Sequence, residues 1–122
     1  MSSTITDFED LEVWQESQNL AVDIYRITKS FPSDEKFGIT NQLRRAASSI
    51  SANIAEGFGR TSPKDKLRFY QIGYGSLLEV KSFLHLSQRL DYIDDAKTEE
   101  LLSQAVSCQK LLNAFMRPLR NA

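Results

Sequence analysis

The stretch "QLRRAASSISANIAEGFGR", Gln42–Arg60, followed by "TSPKD", Thr61–Asp65, decides the fold. Leu43, Ala46, Ala47, Ile50 and Ile54 return every three or four positions, the period of a helix that buries one face. Gly57 and Gly59 then supply a C-terminal stop. Ser62 suits a helix N-cap, Pro63 suits the first helical position, and Asp65 completes a box-like pattern. One helix ends and another begins within a few residues. So short a connection makes the two antiparallel neighbours.

The same pattern extends outward in both directions. Upstream, Val13, Ser17, Leu20, Ile24, Ile27 and Phe31 mark a helix face flanked by Trp14 and Ala21. "FPSDEKFG", Phe31–Gly38, interrupts it, with Ser33 placed to cap the next helix and Asp34 and Glu35 suited to its positive end. That next face opens at Ile39 and runs to Phe58. Downstream, Phe69, Gly73, Ser76, Leu77, Val80, Leu84 and Ser87 form a third face, which "DYIDD" ends, with Asp94 or Asp95 as the following cap. Leu101, Ala105, Cys108, Leu112, Phe115 and Leu119 form the fourth, and Pro118 is expected to fray or bend its last turn. Strand-like alternation and repeats are absent. The pattern predicts an all-α protein, an antiparallel up-down-up-down four-helix bundle. It is one domain over residues 1–122, with residues 1–7 expected as a disordered tail.

Bulk properties agree. The chain has 122 residues, 41% hydrophobic and 25% charged, which suits one core without staples. A net charge of −1 argues against wholesale attraction to nucleic acid or membrane. The single cysteine, Cys108, excludes an internal disulfide. "MSSTITDFEDLEVW" lacks the order of a signal peptide, and no apolar run approaches the ~18 residues of a spanning helix. The expected location is the cytoplasm, with no membrane partner.

Catalytic constellations are not evident. Antiparallel pairing sets Cys108 near Leu77, about eight residues or ~12 Å along the helix from the only histidine, His85. A Cys–His nucleophile pair needs hydrogen-bond contact. No Glu-x-x-His for a di-metal bundle and no phosphate loop occurs. No metal, cofactor or catalytic residue is expected. An enzyme would instead need a deep pocket holding Glu56, Glu79 and Arg45 unpaired with one another. The expectation is ion pairing: Arg60 with Glu56 four residues before it, and Arg45 with Glu79 across the second and third helices. The same pairing sets Arg45 near Ser76, and Gly73 near Ala47 and Ser48. Gly73 and Gly75 each cost a helix ~1 kcal/mol relative to alanine, offset by close approach to the small face Ala47, Ser48 and Ser51.

Charge is polarised along the bundle. One end collects Arg60, Lys64, Lys66, Arg68, Arg117 and Arg120; the other collects Asp34, Glu35, Asp91, Asp94, Asp95, Glu99 and Glu100. Acids at helix starts and bases at helix ends compensate the dipoles, but Lys64, Lys66 and Arg68 sit at a helix start and oppose it. With Arg60 they are the candidate contacts for nucleic-acid phosphates. Phe69 is assigned to the core face, so base stacking is not expected. Leu78, Phe83, Leu86, Leu111 and Met116 fall off the core faces, and such residues predict a homo-oligomer.

"DLEVWQESQNLAVDIY", "FPSDEKFGITNQLRRAASSISANIAEGFGR" and "GSLLEVKSFLHLSQRLDYI" resemble the 23S rRNA intervening-sequence proteins, also called four-helix bundle proteins. The resemblance is dense from Asp10 to Tyr92. It implies a homo-oligomeric ring, expected as a pentamer, in bacteria, with no established molecular activity. It also implies a relation to the accessory variability determinants of diversity-generating retroelements, which bind nucleic acid and reverse transcriptase through a strongly basic surface. This chain departs from them with a pI of ≈ 5.8. The expected function is therefore a non-catalytic assembly protein. The alternative is weak, phosphate-directed RNA binding by a basic rim, with RNA or a nucleic-acid-processing protein as partner. The matching signature is a polar stripe of Gln42, Arg45, Ser49, Asn53, Glu56, Arg60 and Glu79.

Overall fold

The computed structural model describes residues 4–121. Four helices, α1 (Glu12–Thr28), α2 (Ile39–Phe58), α3 (Pro63–Arg89) and α4 (Asp95–Met116), form the bundle, with short 3-10 turns at Phe8–Asp10, Ser33–Glu35 and Arg117–Leu119. Each helix packs on its neighbours in sequence, and α4 closes back on α1. The described residues contain no strand. Leu20, Ile24, Leu43, Ile50, Leu77 and Leu112 are among the fully buried side chains at the centre. Several buried hydroxyls bond to their own helix: Ser17 Oγ donates to the Val13 carbonyl at 2.7 Å and Ser87 Oγ to that of Phe83 at 2.8 Å. Such back-bonding lets polar residues occupy a core without orphaned groups.

The caps follow local chemistry. The backbone N–H of Asp65 donates to Ser62 Oγ at 3.1 Å, and that of Lys97 to Asp94 Oδ1 at 2.7 Å. Ser33 does not cap α2. The Ser33–Glu35 turn intervenes, Gly38 takes the cap position, and the carboxylate of Glu35 accepts from the N–H of Ile39 at 3.4 Å. α3 ends without a glycine. Asp91 adopts φ 61°, and the N–H groups of Asp91 and Tyr92 return to the carbonyls of Gln88 and Ser87. That is a Schellman closure with aspartate in the left-handed position. The 3-10 turn containing Pro118 follows α4. At the N-terminus Thr6 and Asp7 bond to the carboxylate of Asp10. Residues 1–3 of the expected tail lie outside the described residues.

The register of α2 against α3 differs from expectation by about one turn. Ser76 Oγ donates to Ser49 Oγ at 2.9 Å, where pairing from the connection placed Arg45 opposite Ser76. The cause is Tyr70, which is 1% exposed and sits against Gly57. A Cβ on Gly57 would lie 2.6 Å from Tyr70 Cε1 and 3.1 Å from the carbonyl oxygen of Lys66. Gly57 is thus a notch inside α2 rather than its stop, and seating Tyr70 there pushes the first turn of α3 past the end of α2. Gly73 accordingly meets Ile50 and Asn53 rather than Ala47 and Ser48, and a Cβ on Gly75 would meet nothing within 4 Å.

Two further expectations change. Met116 is 2% exposed, because the step of four from Leu112 continues the α4 stripe. Phe83 and Leu111 are partly buried against the core, while Leu78 and Leu86 remain 46% and 45% exposed.

Candidate functional site

The polar stripe lies along the α2–α3 seam. Gln42, Arg45, Ala46 and Ser49 of α2 and Ser76 and Glu79 of α3 line a groove of about 230 Å³. Its floor is held by the Ser76–Ser49 bond and by Asn53 Nδ2, which donates to the Ser49 carbonyl at 2.8 Å and to Ser49 Oγ at 3.0 Å. Arg45 and Glu79 both face this groove but do not pair. Among the described residues the ion pairs are Asp23–Arg26, Glu56–Arg60 and Lys97–Glu100. Both side chains are exposed, so water solvates each charge and little is gained by pairing. The neighbouring Arg44 has a structural role that the sequence did not signal. Its Nε donates to Thr28 Oγ1 at 2.8 Å, and its guanidinium lies 4.9 Å from the centre of the Tyr25 ring, tying α1 to α2.

The four basic candidates separate into distinct environments. Arg60 Nη2 reaches Glu56 Oε2 at 3.1 Å, as the four-residue spacing predicts. Arg60 also lies 4.5 Å from the centre of the Phe69 ring, and Arg68 lies 4.6 Å from the same centre. Phe69 is half-buried, not a core residue, and carries two guanidinium groups by cation–π attraction. Lys66 Nζ donates to the Phe58 carbonyl at 2.7 Å and contacts that of Gly57 at 3.5 Å. Its charge therefore compensates the negative end of α2, a helix to which it does not belong. Helix electrostatics accounts for Lys66 after all. Lys64 is exposed in the first turn of α3.

Cys108 and His85 are not brought together: the thiol is buried and the imidazole exposed. Burial pushes the Cys108 thiol up to about 11, so it stays protonated at neutral pH. Among the described residues no cluster of His, Cys, Asp or Glu could hold a metal ion. No described helix is long and apolar enough to cross a membrane.

Residues 9–114 match the model of the 23S rRNA-intervening sequence proteins. The chain belongs to that family. A crystal structure of a protein of unknown function from the S23 ribosomal protein family of Bacteroides thetaiotaomicron has the same fold. It matches with a TM-score of 0.77 and 26% identity, over 85% of this chain and 97% of that one. No curated protein matches the sequence. In this intervening-sequence family member, the signature stripe is an exposed seam between two tightly packed helices.

Proposed function

We propose that this chain is a non-catalytic subunit of a homo-oligomeric assembly in the cytoplasm. The observation that supports it is the outer face of α3. Ile72, Leu78 and Leu86 are each 45–46% exposed on that face, with Gly75, Glu79 and Ser82 between them. Packing within the chain has used only the opposite face of the helix. Exposed apolar groups gathered on one helix face mark an interaction surface. The resemblance to intervening-sequence proteins adds five as the number of copies. Light scattering at micromolar concentration tests the reading. The expected mass is a multiple of 13.9 kDa, falling to one chain in Leu78→Lys/Leu86→Lys. A wild-type monomer would overturn it.

A second reading, phosphate-directed RNA binding, is favoured by the two guanidinium groups on Phe69. Arg60, Arg68 and Lys64 carry it, while Lys66 is occupied with the α2 carbonyls. Binding to phosphates falls steeply with salt. A titration of structured rRNA at low and near-physiological salt, with Lys64→Glu/Arg68→Glu beside wild type, tests it. Equal binding by the two proteins would discard this site.

A further inference from the structure

Phe37, in the α1–α2 connection, is 86% exposed, more than any other large apolar side chain described. The connection that carries it is anchored. Glu35 accepts from the Tyr92 hydroxyl at 2.7 Å and from the Ile39 N–H at 3.4 Å, tying the turn to the α3–α4 connection and to the start of α2. A Cβ on Gly38 would meet Glu35 Oε1, so a side chain there would displace the anchoring carboxylate. A phenyl ring held in water on such a mount gains nothing inside its own chain. The ammonium of Lys36 lies 5.6 Å from the ring centre, placing a positive charge beside the aromatic knob.

The other end of the bundle offers a matching hole. There the start of α1 and the end of α4 leave a notch of about 350 Å³, lined mainly by Ile5, Leu11, Val13, Ala114 and Phe115. An apolar cavity of roughly 150 Å³ already accepts benzene. Glu12 is the one charged residue in the lining and takes part in none of the ion pairs found among the described residues.

We propose that Phe37 of one copy seats in this notch of a second copy, with Lys36 against Glu12, so that chains associate end to end. α1 alone, running from notch to knob, separates them by roughly 25 Å, so they cannot meet within one chain. The contact is head-to-tail, and it lies at the ends of the bundle rather than along the outer face of α3. One ring in one notch is a small contact, weak for a lone pair of chains and additive where several copies present their ends together.

Disulfide trapping tests it. A bridge requires Cα atoms within about 7 Å, and the buried Cys108 stays out of reach. Oxidised Asp34→Cys/Ala114→Cys, which keeps Phe37 and Lys36 and places a thiol in the exposed turn beside them, is expected to form a ladder of linked multimers that is lost when Phe37→Ala is added. Asp34→Cys/Ser103→Cys, with its second thiol farther along α4, is not. Adding Glu12→Lys should weaken the ladder, and adding Lys36→Glu as well should restore it. The Leu78→Lys/Leu86→Lys background leaves knob and notch untouched, so the same position-selective ladder is expected there, forming more slowly where the side-face assembly is lost. Equal products from the two cysteine pairs, or a charge swap that restores nothing, would overturn the proposal.

Discussion

Gly73 and Gly75 stand two residues apart on α3 and face opposite sides of it. Gly73 lets the helix approach α2 so closely that a Cβ would lie 3.3 Å from the Ile50 carbonyl oxygen. Gly75 meets nothing. The inner face of the helix shows why its residues are there, down to single atoms; the outer face shows apolar groups and a bare backbone without a neighbour in the chain. A helix-interior glycine costs ~1 kcal/mol whichever way it points, so the two faces differ only in what offsets that cost. For the inner face the offset is close packing. For the outer face the proposed offset is another copy.

The contrast can be broken most forcefully from the inside. Tyr70→Ala removes the ring that sets the α2–α3 register and also packs on Phe115 at 4.9 Å. A loss of ~3–5 kcal/mol is expected in denaturant unfolding. A loss below about 1 kcal/mol would mean that the ring does not anchor the hairpin.

Alkaline pH probes the same interior. Burial raises Cys108 from 9.0 to about 11 and Tyr70 from 10.0 to about 12. Between the ordinary and the raised values the folded state holds protons that the unfolded state has released, so stability falls as pH rises. The stabilising contribution is complete below about pH 9 and is lost progressively toward pH 12. Cys108→Ala should remove the part that falls between about pH 9 and 11, on the order of 2 kcal/mol. Melting temperature followed against pH for both proteins reads this directly.

Gly57→Ala is expected to cost up to about 2 kcal/mol, since overpacking against Tyr70 at ~1–3 kcal/mol is set against a helix gain of ~1. Gly75→Ala carries the opposite sign. It should stabilise an isolated chain by about 0.5–1 kcal/mol through propensity alone. If the outer face is an interface, the same methyl should weaken self-association in light scattering. Stabilisation with unchanged assembly would move the interface away from Gly75.

The smallest effect concerns the polar seam. A double-mutant cycle on Arg45 and Glu79 should give coupling below about 0.5 kcal/mol, as for solvated charges. Strong coupling in the assembled protein but not in Leu78→Lys/Leu86→Lys would place a neighbouring copy in the groove.

What the sequence by itself determined is everything set within a turn or two of helix. The stripes around Leu43, Leu77 and Leu112, the cap Ser62, the next cap to within Asp94 or Asp95, and the Glu56–Arg60 pair were legible, because backbone periodicity and four-residue reach place their partners. The family was legible as well, through the α2 signature. Only the tertiary structure decided contacts between elements. Gly57 reads as a stop until Tyr70 is seen in its notch; Lys66 reads as a misplaced base until the α2 carbonyls arrive beside it; Arg45 and Glu79 read as a pair until both are seen exposed to water across one groove. The first two share a physical reason. Local hydrogen bonds give the helices their length, but the sliding of one helix past another is set by which large side chain finds which small one. In this molecule that choice was made by one tyrosine and one glycine.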